Sequence, residues 1–397
     1  MAKLSLKDLD LKGKTVVMRV DFNVPLKDGV IGDDNRIRQA LPSITHVIEG
    51  GARLVLLSHL GRPKGEPKPE FSLKPVAEHL KTLVPGEVFF GEDCIGDKAK
   101  AAVDQASAGD IVLLENVRFH PEETKNDPEF SKKLAAHGDV FVNDAFGSSH
   151  RAHSSVAGIT EHLQPAASGY LLMKEIEYLQ NSVENPKRPF VAVLGGAKVS
   201  DKIGVIENLI TKVDTIIIGG GMTYTFYKAK GLPIGNSLLE EDKVELAGSL
   251  LEKAKANNVE ILLPIDSVVG REFKEDTETK TVAEDGIEEG WLALDIGPKS
   301  AELFGDEIKK AKTVIWNGPM GVFEMEAFAK GTFAVAGAMS TATENGGITI
   351  IGGGDSASAI KKAGLEEKVS HVSTGGGASL EYLEGKVLPG ISSLTDK

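Results

Sequence analysis

Short, unbroken apolar runs recur along this chain, each followed by a stretch of helical character, and the rhythm begins twice. Residues 15–22 (TVVMRVDF), 53–58 (RLVLLS), 111–114 (IVLL) and 140–142 (VFV) make the first series. The second opens at 190–194 (FVAVL) and continues through 215–218 (TIII), 261–263 (ILL), 313–316 (TVIW) and 348–351 (ITII). Between runs lie helical stretches such as 43–49 and 128–137. Strands that are apolar on both faces belong in parallel sheets covered by helices on each side. A chain of 397 residues is also too long for one ordinary core. The expected fold is α/β, with two doubly wound parallel-sheet (Rossmann-like) domains.

The break between the two series falls near residues 169–189. Leu172, Ile176, Leu179 and Val183 follow i, i+4, i+7, i+11 spacing, which predicts an amphipathic helix. The segment 185–189 (NPKRP) ends it, because proline disfavours helix at the residue before it. Such a helix either joins two domains or lies on the surface of one.

Hydrophobic content of 41% and charged content of 26% are ordinary for a globular chain. The first 14 residues carry charges but no apolar core segment, so no signal peptide is expected. No run approaches the roughly 20 apolar residues of a membrane span. The single cysteine, Cys94, cannot form an intrachain disulfide and points to a reducing, cytoplasmic setting. It reads as an ordinary packed or surface thiol. A net charge of −13 argues against nucleic acid or an anionic membrane as partner, but not against small anions.

In open α/β sheets, ligands bind beyond the carboxyl ends of the strands, and the unusual residues cluster there. In the first half, Asp21 and Asn23 close the first run, and His59 and Arg62 follow the second. The segments 115–119 (ENVRF) and 143–147 (NDAFG) follow later ones. Arg36, His59, Arg62, Arg118 and Arg151 supply side-chain cations. Arginine presents a planar fork that matches carboxylate and phosphate oxygens. With Asp21 and Asn23 for a hydroxyl, the set suits a small phosphorylated hydroxy acid. His150 and His153 have a spacing that metal sites use, but without a partner set they read as loop-positioning residues.

The second half offers glycines at 195–196, 219–221 and 352–354, where backbone N–H groups can approach phosphate oxygens. Asp355, beside the last cluster, is a candidate Mg²⁺ ligand, since Mg²⁺ takes one or two carboxylates plus phosphate oxygens. The segment 195–202 (GGAKVSDK) places Lys198 and Lys202 at an expected helix start. It is neither a Walker A loop nor a dinucleotide fingerprint. The segment 272–280 (EFKEDTETK) reads as a solvated, hairpin-like loop, and Trp291 and Trp316 as packing residues.

Taken together, DFNVP at 21–25, SHLGRP at 58–63, GGAKVSDK at 195–202 and GGGDS at 352–356 resemble phosphoglycerate kinases, in order, from about Leu6 to Leu388. The resemblance implies reversible phosphoryl transfer between 1,3-bisphosphoglycerate and ADP, giving 3-phosphoglycerate and ATP, in glycolysis and gluconeogenesis. It implies an N-terminal phosphoglycerate-binding domain over 1–170 and a linking helix over 171–185. A nucleotide-binding domain over 186–380 and a tail over 381–397 returning to the first domain complete it, with a hinge between the domains. By motif match, Asp21, Asn23, Arg36, His59, Arg62, Arg118 and Arg151 would hold the phosphoglycerate. Gly196, Ala197, Lys198, Lys202, Gly219, Gly220, Gly221, Leu294, Asn317, Pro319, Val322 and Glu324 would hold Mg·ADP or Mg·ATP, with Gly352, Gly353, Gly354, Asp355 and Ser356. Glu324 would bind the ribose and Asp355 the metal.

Both nucleophiles of that reaction, an ADP phosphate oxygen and a carboxylate, are ionised near neutral pH. Catalysis would then rest on alignment and charge stabilisation. Arg36, Lys198, Lys202 and the backbone near Gly354 and Gly376 are the expected catalytic groups, Lys202 following the nucleotide phosphates. Ser356 stands where the family often has threonine and keeps the hydroxyl, and Ala293 where many members have glycine. A monomer with no nucleic-acid or membrane partner is expected. The rival readings are a nicotinamide-dependent dehydrogenase, which would need GxGxxG where DFNVP stands, and a non-enzymatic phosphosugar-binding protein, which would not need Lys198 or Asp355.

Overall fold

The computed structural model describes residues 3–397, which divide into two compact units. One runs up to Ile176 and includes Val387–Lys397; the other is Glu177–Lys386. The division falls inside the helix Tyr170–Glu184, which carries the spaced Leu172, Ile176, Leu179 and Val183.

The first unit is built on six parallel strands: β1 (Thr15–Arg19), β2 (Arg53–Leu57), β3 (Val88–Gly91), β4 (Ile111–Leu114), β5 (Val140–Asn143) and β6 (Ala166–Ser168). Their order is β3-β4-β2-β1-β5-β6. All of β1 is buried, as an apolar run covered on both sides must be. On one face, Val16 and Met18 of β1 and Leu54 and Leu56 of β2 share a core with Ile37, Ile44 and Val47 of the helix Asn35–Glu49. Strand residues two apart meet helix residues on one stripe, which fixes how the helix lies on the sheet.

Residues Val387–Lys397 close this unit. Thr395 N donates to Ala166 O at 2.9 Å, and Leu4 N donates to Thr395 O at 2.9 Å. Asn143 Nδ2 donates to Gly390 O at 2.8 Å.

In the second unit, β7 (Phe190–Leu194), β8 (Thr215–Ile218), β9 (Glu260–Leu262), β13 (Thr313–Asn317), β14 (Ile348–Gly352) and β15 (His371–Val372) form a parallel sheet, ordered β9-β8-β7-β13-β14-β15. Its core joins Val193, Val314 and Trp316 to Val335 and Met339 of the helix Lys330–Glu344. Trp316 is a packing residue: fully buried, its indole N–H is satisfied by Gly318 O at 2.7 Å.

A second sheet interrupts this series. β10 (Asp266–Gly270), β11 (Thr279–Ala283) and β12 (Leu292–Ile296) pair antiparallel in the order β11-β10-β12. The sequence did not reveal it, because β11 (TKTVA) alternates exposed with half-buried residues and contains no apolar run. The polar segment 272–280 spans the β10–β11 connection and enters β11. Lys280, at 4.4 Å from the ring centroid, and Arg271, at 3.9 Å, both lie over Trp291. No helix among the described residues is long and apolar enough to cross a membrane.

Candidate active site

In the first unit the loops after β1 and β2 are tied to each other before any ligand is considered. Phe22 N donates to Ser58 Oγ at 2.9 Å, and Gly61 N donates to Asn23 Oδ1 at 2.8 Å. Arg36 Nη1 donates to Asp21 Oδ2 at 2.9 Å, so Asp21 aims a guanidinium that is still partly exposed.

The ENVRF segment after β4 is mostly scaffold. Glu115 accepts from Leu73 N and Asn116 N, each at 2.8 Å, and from Ser72 Oγ at 2.6 Å. Asn116 Nδ2 donates to Leu60 O at 2.7 Å, and its Oδ1 accepts from Arg118 N at 3.0 Å. This frame carries Arg118 into the site. Its Nη1 donates to Gly61 O at 3.0 Å, while its buried Nε has no protein partner. Burial first, then the charge of Arg19, brings the Arg118 guanidinium down to about 10. A charged group held under that penalty is poised for an anion, which would relieve it.

NDAFG after β5 serves the frame too. Buried Asn143 holds Gly390 of the C-terminal segment, and buried Asp144 accepts from Leu172 N at 3.1 Å at the start of the helix Tyr170–Glu184.

The residue that sequence reasoning missed is Arg19. It lies in β1 and is fully buried. Its Nε donates to Ser155 Oγ at 2.8 Å, Nη2 lies 3.0 Å from His59 Nδ1, and Nη1 donates to Val20 O. Ser155 Oγ in turn donates at 2.6 Å to Glu123, which is also fully buried. A guanidinium only donates, so His59 Nδ1 must accept and Nε2 carries the proton. Burial, then the Arg19, Arg118 and Arg36 charges, hold His59 well below the usual histidine value. His153 is brought down to about 4 by burial, then by the charges of Arg118, Arg19 and Arg151. It therefore belongs to this cationic cluster as a neutral ring. The signal was present: an arginine inside the apolar run TVVMRVDF has to be buried, and a buried charge needs partners. Arg62 and Arg151 are exposed.

In the second unit the ends of β7, β8 and β13 meet through glycines that touch backbone to backbone. A Cβ on Gly195 would overlap the carbonyl oxygens of Gly318 and Pro319. One on Gly220, where φ is +71°, would stand 2.5 Å from Gly196 O. Glycine is required there because no side chain fits and the backbone is left-handed.

The glycine turns open onto a cavity of about 560 Å³. Gly196, Ala197, Lys198, Lys202, Asn317, Pro319, Gly353, Gly354, Asp355, Ser356 and Gly376 all line it, joined by Asp201, which the sequence did not single out. The helix Gly354–Lys362 starts at this wall. Gly353, at φ +89°, is its N-cap, and the amides of its first turn have no intrahelical acceptor, the arrangement that suits an anion. Ser356 Oγ accepts from Gly318 N at 2.6 Å, which ties that turn to β13.

The helix start expected at 195–202 falls at the end of that segment. The helix is Ile203–Leu209, with Lys202 as its N-cap and Lys198 in the loop before it. Gly196 is held by backbone contacts, its N–H donating to Pro319 O at 3.1 Å and its carbonyl accepting from Met222 N at 3.1 Å, and the chain turns before the helix, with Lys202 N donating to Val199 O at 2.8 Å. Buried Lys202 donates through Nζ to Asn317 Oδ1. Burial lowers its ammonium below the usual lysine value, opposed by Asp201, Asp355 and Glu384. Asp355 and Lys198 are exposed.

Gly219, Gly220, Gly221, Gly352, Leu294, Val322 and Glu324 are not part of that cavity wall. Val322 N donates to Leu294 O at 2.9 Å, which joins the segment leading to exposed Glu324 to β12.

A family model described as phosphoglycerate kinase matches residues 6–386. Over 396 residues, covering all of both chains, the sequence is 58% identical to a phosphoglycerate kinase of Chloroherpeton thalassium. It is 56% identical to that of Clostridium tetani, over all of this chain and 98% of the relative. Among solved structures, phosphoglycerate kinase of Coxiella burnetii aligns over 98% of both chains with a TM-score of 0.90 and 42% identity. The Pyrococcus horikoshii enzyme aligns over the same share with a TM-score of 0.84 and 32% identity.

Proposed function

The chain belongs to the phosphoglycerate kinase family, and on that premise we propose which of its residues hold the two substrates and the transferring group. Its reaction is the family's: reversible phosphoryl transfer between 1,3-bisphosphoglycerate and ADP, giving 3-phosphoglycerate and ATP, in glycolysis. Enzymes of this family use ATP with Mg²⁺.

The first unit binds the phosphoglycerate. Arg36, Arg62, Arg118 and Arg151 pair with its anionic oxygens, with Asp21, Asn23 and the Nε2–H of His59 on its hydroxyl and carboxylate. The unpartnered Arg118 Nε supports this assignment. The second unit binds the nucleotide. Gly196, Ala197, Lys202, Asn317, Pro319 and residues 352–356 follow the phosphates. Gly219, Gly220, Gly221, Leu294 and Val322 surround the base, and Glu324 the ribose.

Asp355, exposed on a cavity wall and within electrostatic reach of Lys202, suits a Mg²⁺ ion that keeps waters and phosphate oxygens as its other ligands. Bound there, the ion would neutralise phosphate charge. Lys198, Arg36 and the amides at Gly354 and Gly376 stabilise the transferring group, with no general base. The observation that carries the reading is that Lys198, Lys202, Gly354, Asp355 and Gly376 line one cavity.

The net charge of −13 and the single cysteine support a cytoplasmic protein without nucleic-acid or membrane partners, working as a monomer. The test is a coupled assay with 3-phosphoglycerate, ATP and Mg²⁺, repeated on Lys198→Ala and Asp355→Ala. Sedimentation equilibrium tests the oligomeric state. Full activity in both variants would overturn the residue assignment.

A further inference from the structure

We propose that Asp93, Cys94 and His120 form a binding site for one thiophilic divalent cation of the zinc class, in the first unit and apart from the arginine cluster. One ligand atom from each residue lies within 4.8 Å of the other two. His120 Nε2 and Asp93 Oδ1 are already 2.7 Å apart, and the Cys94 thiol is buried behind them. Sulfur, imidazole nitrogen and carboxylate oxygen are the three donor types that Zn²⁺ accepts, whereas Mg²⁺ keeps to oxygen. The set therefore selects against the ion that serves the nucleotide.

The donors are held from outside. Asp93 Oδ1 also accepts from Cys94 N at 2.7 Å, and the Cys94 carbonyl is bonded by His137 Nε2 at 2.9 Å. Such outer contacts orient ligands before an ion arrives. Access is provided by a cavity of about 610 Å³ whose wall includes Asp93 and His120. The other carboxylates on that wall are engaged elsewhere: Glu115 by Leu73, Asn116 and Ser72, and Glu92 by Lys98 at 3.1 Å. Three protein donors with the fourth position open to water describe an exchangeable site rather than a closed structural one.

On binding, a metal–sulfur bond forms as the Cys94 S–H bond breaks, and its proton passes to the buffer. The Asp93–His120 hydrogen bond is exchanged for two metal bonds: the Nε2 proton of the neutral His120 ring moves to Nδ1 through solvent, so only the Cys94 proton is released, and there is no redox change. The segment that would be pinned also serves the substrate site. His120 stands two residues after Arg118 and is the N-cap of the helix Pro121–Lys125, whose Glu123 accepts from Ser155 beneath Arg19. Occupancy should therefore reset Arg118, an effect that rests on the substrate assignment proposed above.

The probe is CoCl₂ added to the full-length protein, without nucleotide, in excess Mg²⁺, with ZnCl₂ as competitor. We expect one Co²⁺ per chain, a sulfur-to-cobalt charge-transfer band displaced by Zn²⁺, and release of about one proton per ion. Cys94→Ser should abolish the band, and His120→Ala should weaken binding about 10-fold or more. Circular dichroism confirms that both variants are folded, and Asp93→Asn serves if either is not. Absence of the band at saturating Co²⁺, or its survival in Cys94→Ser, overturns the site. In the coupled assay, stoichiometric Zn²⁺ should raise KM for 3-phosphoglycerate about five-fold or more in wild type but not in Cys94→Ser. A band without that KM change keeps the site and overturns its coupling to Arg118. A KM rise that persists in Cys94→Ser does the same.

Discussion

Arg19 Nη2 lies 3.0 Å from His59 Nδ1 in a buried pair, so an arginine inside β1 dictates which nitrogen of the imidazole carries its proton. The same guanidinium bonds Ser155, which bonds Glu123. Arg19→Met keeps the volume but strands Glu123 without its countercharge. The expected loss is about 3 kcal/mol of unfolding free energy in urea, the scale of breaking a buried ion pair from one side. Nitrogen-15 NMR should show His59 protonated at Nε2 in wild type, with that preference relaxed in the variant. An unchanged tautomer would mean that other contacts orient the ring.

Lys198→Ala should fold, bind both substrates and lose about 10²-fold or more in turnover, the scale of removing one preorganised charge donor. Its exposed side chain on the cavity wall has no buried packing to lose. Steady-state kinetics with nucleotide titration decides this. Normal turnover in a folded variant would leave Lys198 without a catalytic role.

Arg62→Ala should weaken 3-phosphoglycerate binding and leave nucleotide binding nearly intact, because Arg62 lies in the first unit. Asp355→Ala should do the reverse and abolish the Mg²⁺ dependence of nucleotide affinity. Calorimetry on both variants, each with both ligands, tests the separation. Equal damage to both affinities in either variant would argue against it.

Asp144 gives stability a pH dependence of predictable sign. Burial pushes its carboxyl up to about 6, above the usual aspartate value, against opposing hydrogen bonds from Ser43 and the amides of Leu172 and Leu171. The folded chain then binds this proton more tightly than the unfolded chain does. Its contribution is therefore most favourable below the unfolded value and is lost as pH rises towards and past about 6. Asp144→Asn removes that loss. Relative to wild type, the variant should gain stability between pH 4 and pH 7, by up to about 3 kcal/mol. Thermal unfolding across that range would show parallel curves if Asp144 were ordinary.

Phosphoryl transfer needs the donor and acceptor oxygens in line within a few ångströms, shielded from water. With the two substrates assigned to different units, we expect a hinge that closes fully only when both are bound. Solution scattering should give the smallest radius of gyration with 3-phosphoglycerate and a nonreactive Mg·ATP analogue together. An unchanged radius with both demonstrably bound would exclude large-scale closure.

Much of this protein could be read along the chain. The apolar runs are strands because a segment buried on both faces shows its burial locally, as the wholly buried β1 and β7 demonstrate. The helix Tyr170–Glu184 was legible in its spacing, and the cavity-lining glycines in their positions after strands. Tertiary structure decided what depends on partners distant in sequence. Arg19 meets Ser155 across 136 residues, and Lys202 meets Asn317 across 115. Asn143 and Asp144, which looked like site residues, turned out to hold the C-terminal segment and a helix start. The edge strand β11 stayed hidden because its own residues alternate exposed with half-buried and form no apolar run. Periodicity reports how a residue is buried, while a buried charge takes its role from whatever the fold places within 3 Å of it, which no local pattern encodes.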